Sequence, residues 1–170
     1  MKLRFIFLIF AFAPTFTTAP GQSEDHWEDY QPRTLQSIID LHRDNILELD
    51  SKNDSKKKVL LTGESFPSQT RIIYLAESRP LPPQKKMVLN LWRKMLKDQA
   101  PAAGEFATEV LFKEGTVEHW VAVRQPLLDP LSKEEKKGDS VDAYIIWVGA
   151  IKVGTRWEWL FAMNAFQAVR

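Results

Sequence analysis

Apolar residues at Leu35, Ile38, Ile39, Ile46 and Leu49, with His42 on the same stripe, recur at helical spacing, and Asp40, Arg43, Asp44 and Glu48 fall on the other side. This pattern predicts an amphipathic helix over about 34–50, with Thr34 as N-cap. The run "DSKNDSKKK" then reads as a solvated turn. Two short runs rich in β-branched and aromatic residues, Val59 to Thr62 and Arg71 to Ala76, predict strands, and the "GESFPSQ" between them has the Gly, Pro and Ser of a loop. "SRPLPP" breaks the chain. Pro82 and Pro83 are placed to open a second helix over about 82–98, whose stripe is Val88, Leu91, Trp92 and Met95.

The pattern then changes to alternation. "FATEVLFK" and "TVEHWVAV" flank Glu114 and Gly115, a two-residue connection ending in glycine that signals a tight hairpin. With those two residues at the centre of the turn, Phe112 would oppose Val117 and Val110 would oppose His119. One face is then apolar apart from Thr108 and His119, and the other, with Glu109, Glu118 and Trp120, is half wet. "QPLLDPLSKEEKKGDS" reads as a surface excursion with room for one helical turn ending at Gly138. Two last strands are predicted over about 141–148 and 157–165, with Gly149 and Gly154 bracketing their connection.

That final stretch is apolar enough to raise the question of a membrane. Lys152, Arg156 and Glu158 near its middle argue against a spanning helix, since Lys or Arg at a helix centre costs about 2.5–3.5 kcal/mol on insertion scales. The N-terminus differs. Lys2 and Arg4 precede an apolar run from Phe5 to Ala13 and then small residues, the anatomy of an export signal over residues 1–21. The run is well short of the roughly 20 residues a spanning helix needs. Cleavage near Gly21 would remove Lys2 and Arg4 from the 23 basic residues, leaving 21 against 22 acidic and a net charge of −1. No basic footprint for nucleic acid remains. Residues 22–33 read as an exposed, acidic, aperiodic arm and 34–170 as a single domain, in a chain whose overall composition, 44% hydrophobic and 26% charged, is ordinary for a globular protein. The absence of cysteine excludes disulfides and thiolate chemistry, and in an exported domain this small it favours a bacterial periplasmic or secreted protein.

Motifs that would name a reaction are absent. Ser65 follows Gly63 as in half of a nucleophile elbow, but Pro67 stands where the second glycine belongs. The histidines His26, His42 and His119 form no metal-binding spacing, and no glycine-rich phosphate cradle occurs, so neither a metal nor a cofactor is expected. His42 and His119 both lie on apolar faces, and a helix folded over the sheet could bring them together. With a carboxylate such as Glu109 or Glu118 they would then make a hydrolase or lyase pocket. Trp157 and Trp159 alternate on the last strand and share a face with Phe161. Exposed together with Trp120, they would form a surface for a protein, peptide or glycan; buried, they are core.

The element order predicts an α+β domain: two amphipathic helices and a strongly curled antiparallel sheet of five to six strands, with the helices on one side. A small barrel of the OB or SH3 kind and a cone-like sheet wrapped round helices, as in the NTF2-like architecture, both satisfy the pattern. The function expected is an exported, non-catalytic binding or interaction module; the alternative is the small hydrolase or lyase.

Overall fold

The computed structural model describes residues 29–51, 59–62, 66–96 and 105–169. The expected export signal, His26, the lysine-rich turn at 52–58 and Ser65 lie outside them. The fold is α+β, with seven strands in one sheet and three helices among the described residues. In chain order these are β1 (Gln31–Pro32), α1 (Leu35–Ser51), β2 (Val59–Leu61), β3 (Ser68–Pro80), α2 (Pro83–Met95), β4 (Phe106–Glu114), β5 (Val117–Arg124), α3 (Gln125–Glu134), β6 (Ser140–Val153) and β7 (Arg156–Ala168).

The sheet is mixed, where an antiparallel one of five to six strands was expected. β1 runs parallel to β3, and β5 runs parallel to β7. β3 also changes partner along its length: Ser68 to Ile73 pair with β6, and Ile73 to Pro80 pair with β4. A bulge between Tyr74 and Ser78 carries Ala76 at φ 56° and lets the strand continue to Pro80, past the predicted end at Ala76. Because β4 pairs with β5, β5 with β7, β7 with β6 and β6 with β3, the pairings form a circuit, with β1 and β2 appended beside β3 and β6.

Two apolar clusters follow from this arrangement. The larger joins Ile72, Val110, Phe112, Val121, Ile145, Trp147, Phe161 and Met163 of the sheet to Leu35 and Ile38 of α1 and to Leu127 and Leu131 of α3. The other lies on the opposite face, where Val88, Leu89 and Trp92 of α2 pack on Phe106, Ala122, Ile146, Val148 and Leu160. Helices therefore cover both faces, and the face of the β4–β5 hairpin expected to be half wet is so: Ala107 and Glu118 are exposed and Trp120 is half-buried. Glu109 there is 0% exposed.

Local chemistry explains the elements. Thr34 Oγ1 accepts the Ser37 N–H at 3.0 Å, the predicted N-cap, and the free N–H groups of Leu35 and Gln36 donate to the two carboxylate oxygens of Glu114 at 2.8 and 2.9 Å. The hairpin tip thereby fastens the start of α1 to the sheet. The turn differs from expectation by one residue: Gly115, at φ +57°, and Thr116 are its centre, so Glu114 opposes Val117 and Phe112 opposes His119. A glycine at the first central position suits a type II′ turn. Since side chains alternate with period two, the shift of partners by two residues preserves which ones share a face.

The predicted surface excursion after β5 is instead the ten-residue helix α3, which buries Leu127 and Leu131. Pro126 sits in its first turn, where an N–H would be unpaired anyway, and Pro130 removes one bond from a short helix that the two leucines anchor. β6 and β7 are longer than predicted because Gly149 does not end a strand. It lies in β6, and a Cβ there would come 2.1 Å from the Leu60 carbonyl oxygen, so glycine lets β2 approach. Only Gly154 and Thr155 form the connection, with Gly154 at φ +62°. Within the expected arm, Gln31 and Pro32 pair with β3, and Tyr30 OH accepts from Asn164 Nδ2 at 3.0 Å.

Candidate functional site

β5 and β7 pair only over Val121 to Val123 and Phe161 to Met163. Their preceding residues are held instead by β4 and β6 on their outer sides, so a slot opens between Val117–Trp120 and Arg156–Leu160. A pocket of about 420 Å3 occupies that slot, lined by Trp120, Trp157, Trp159, His119, Phe161, Arg79, Lys85, Arg156, Glu118 and Glu158.

One wall is aromatic. Trp159 packs toward the larger apolar cluster, with its ring 5.8 Å from that of Trp147, and His119 stands edge-on to Phe161 at 6.3 Å. All three expected tryptophans reach this single pocket, and each is half-buried, neither a free surface row nor full core.

The other wall is ionic. Lys85, from the first turn of α2, is 3% exposed and donates to Glu109 Oε1 at 2.6 Å, with Glu158 Oε2 at 3.3 Å on its other side. Arg79, opposite Glu109 in the β3–β4 ladder, donates from Nε to Glu109 Oε2 at 2.8 Å and lays its guanidinium over the Trp120 ring, 4.1 Å from the centroid. Glu109 is thus a buried post that holds two cations against the pocket. A carboxylate removed from water needs such partners.

Several polar groups of the pocket have no protein partner among the described residues. His119 is 8% exposed and its Nε2 is unpaired, as is Trp157 Nε1. Arg156 and Glu118 make no ion pair there, and Arg79 forms its hydrogen bond through Nε alone. Burial lowers the pKa of His119, an effect that the nearby Glu114 charge partly opposes. At neutral pH the ring is therefore neutral, with one nitrogen a donor and the other an acceptor.

The residues named from sequence separate. His119 and Glu118 line the pocket, Glu109 lies behind it bound to Lys85 and Arg79, and His42 stacks on Trp147 at 3.8 Å and does not line it. Among the described residues, no three His, Cys, Asp or Glu side chains are grouped to hold a metal ion. The sequence pattern does not mark Arg79 or Lys85 as site residues, and it brings Arg156 and Glu158 into view only as charges in the last apolar stretch. Arg79 sits in a segment that reads as a break, and Lys85 sits on the polar side of its helix, where only the burial of Glu109 reveals what it meets. No helix among the described residues is long and apolar enough to cross a membrane. Comparisons with protein-family models, curated proteins and solved structures found no match.

Proposed function

We propose that this protein is an exported, non-catalytic binding module whose ligand site is the slot between β5 and β7. The observation that carries this reading is the convergence of three half-buried indoles with a buried, ion-paired wall and unpartnered polar atoms in one pocket. Its volume falls in the range of about 300–1,000 Å3 common to small-ligand clefts, and five of its ten lining residues are charged, which suits a polar ligand.

The strand circuit supports the same site. We read β3–β4–β5–β7–β6 as a small closed barrel of the OB kind, the first of the two architectures that the sequence left open. OB barrels bind oligosaccharides and oligonucleotides on the face of their second and third strands and at the loops after the first and fourth. Counted from β3, those are β4 and β5, the connection carrying α2, and the β6–β7 turn, which supply or flank Trp120, His119, Lys85 and Arg156. This support is an analogy of fold.

The hydrolase or lyase alternative would rest on His119 and Glu118, because Glu109 is engaged by two cations and His42 lies elsewhere. Binding is preferred because, among the described residues, His119 has no hydrogen bond to a carboxylate that would orient it as a base. The test is a panel of short peptides and oligosaccharides, followed through the indole N–H resonances of Trp120, Trp157 and Trp159. A ligand that shifts these signals and is recovered unchanged supports the reading. A ligand that is consumed, with loss of turnover in His119→Gln, replaces it with the alternative.

A further inference from the structure

We infer that the ligand of this pocket is a neutral oligosaccharide, an inference that rests on the pocket being a binding site. Charge balance comes first. Arg79, Lys85 and Arg156 line the pocket with Glu118 and Glu158, and the buried Glu109 behind it engages Arg79 and Lys85, so three cations are set against three anions and a ligand bearing net charge of either sign would add a charge that the site does not offset.

The aromatic faces argue in the same direction. A cationic ligand would want free indole faces, but Arg79 already covers one face of Trp120 at 4.1 Å, and Lys152 Nζ lies 6.0 Å from the Trp157 centroid. The protein's own cations occupy the positions that an ammonium group would seek. Indole surface remaining in the pocket is suited to stacking against the C–H face of a sugar ring.

Hydrogen-bonding capacity then selects against a purely apolar or aromatic ligand. The pocket presents donors at Arg156 and the outer nitrogens of Arg79 and acceptors at Glu118 and Glu158, while Trp157 Nε1 and His119 Nε2 are buried in its lining without a protein partner among the described residues. Water leaving such groups must be replaced by partners of both kinds. A hydroxyl both donates and accepts, and adjacent hydroxyls on a ring match the paired atoms of a guanidinium or a carboxylate. A neutral pyranose with equatorial hydroxyls offers this set along its edge and apolar C–H groups on its faces.

The experiment is calorimetric titration of the whole protein, with indole N–H resonances recorded in parallel, against four probes: cellohexaose and chitohexaose as neutral oligomers, hexagalacturonate as the anionic one and hexaglucosamine as the cationic one. At least one neutral oligomer is expected to bind at least tenfold more tightly than either charged one, and to shift the signals of Trp120, Trp157 and Trp159. Trp157→Ala and Arg156→Gln, both at the mouth and away from the apolar clusters, should each weaken that binding at least fivefold while circular dichroism stays unchanged. Should either variant misfold, the wild-type ranking of the four probes still decides. Tighter binding of a charged oligomer, or no response to any of the four, overturns the inference. In the second case, a response of the same indoles to a short peptide leaves the binding-module reading standing, and silence toward peptides as well removes both.

Discussion

Lys85→Met deletes the cation that donates to Glu109 at 2.6 Å while retaining most of its aliphatic stem, and so isolates the ionic term. Both partners are buried, the lysine side chain 3% exposed and the carboxylate 0%, so the substitution leaves an anion that water does not reach. Breaking a buried pair by removing one partner costs about 3–5 kcal/mol. Arg79 remains at 2.8 Å, but its side chain is 39% exposed and its share is weakened by solvent, which brings the expected loss to about 2–4 kcal/mol. The double substitution Lys85→Met with Glu109→Leu removes both buried charges, leaving Arg79 and the 42%-exposed Glu158 to be solvated. It should recover all but about 1 kcal/mol, since an apolar pair of similar volume can replace a buried ion pair at little cost. Urea unfolding followed by far-UV circular dichroism reads both quantities; with a slope of about 1–3 kcal/mol per molar, the single variant moves the midpoint down by about 1–2 M. A loss below about 1 kcal/mol for Lys85→Met, or a double variant as unstable as the two single losses added together, would refute the argument that Glu109 depends on its cations.

Gly149→Ala drives a Cβ to 2.1 Å from the Leu60 carbonyl oxygen, a backbone atom, so β2 must move; a loss of about 1–3 kcal/mol in thermal unfolding, with faster amide exchange in β2, is expected. Glu114→Ala removes the acceptor for two helix N–H groups and for the Thr70 hydroxyl, and should cost about 2–3 kcal/mol, with Glu114→Gln costing less; chemical denaturation reads both. His119 titrates below its ordinary value of about 6.5 because of burial. The unfolded chain therefore binds the proton first, so the His119 contribution is fully present above that ordinary value and is lost as pH falls toward the folded one. Between pH 7 and 5, denaturation midpoints of His119→Leu should fall less steeply than those of the wild type, and parallel curves would contradict the assignment.

Elements with strong periodicity were legible in the sequence. Thr34 and the stripe through Leu35, Ile38 and Ile46 read directly as α1, and the change from helical spacing to alternation placed β4, β5, β6 and β7. What was hidden depended on contacts distant in sequence. α3 looked like loop because two prolines outweigh two leucines in a local window, whereas burial of Leu127 and Leu131 reverses that balance. Gly149 looked like the end of a strand because its reason is Leu60, far away along the chain. The tryptophans could be named from alternation alone, but their convergence required the parallel pairing of β5 with β7, which no local pattern encodes. Lys85 and Glu109 each resembled ordinary surface charges until α2 was laid across the sheet.

The short parallel seam between β5 and β7 also has a kinetic consequence. The hairpins β4–β5 and β6–β7 are joined by two-residue turns and can form from local encounters, whereas bringing Val121 to Phe161 first requires a long loop to close. Closure of the circuit through this seam and through the pairing of Ser68 with Ile145 is therefore the expected slow event in folding, and pulsed hydrogen exchange should find the amides of both hairpins protected before the seam. The order expected is hairpins first and pocket last.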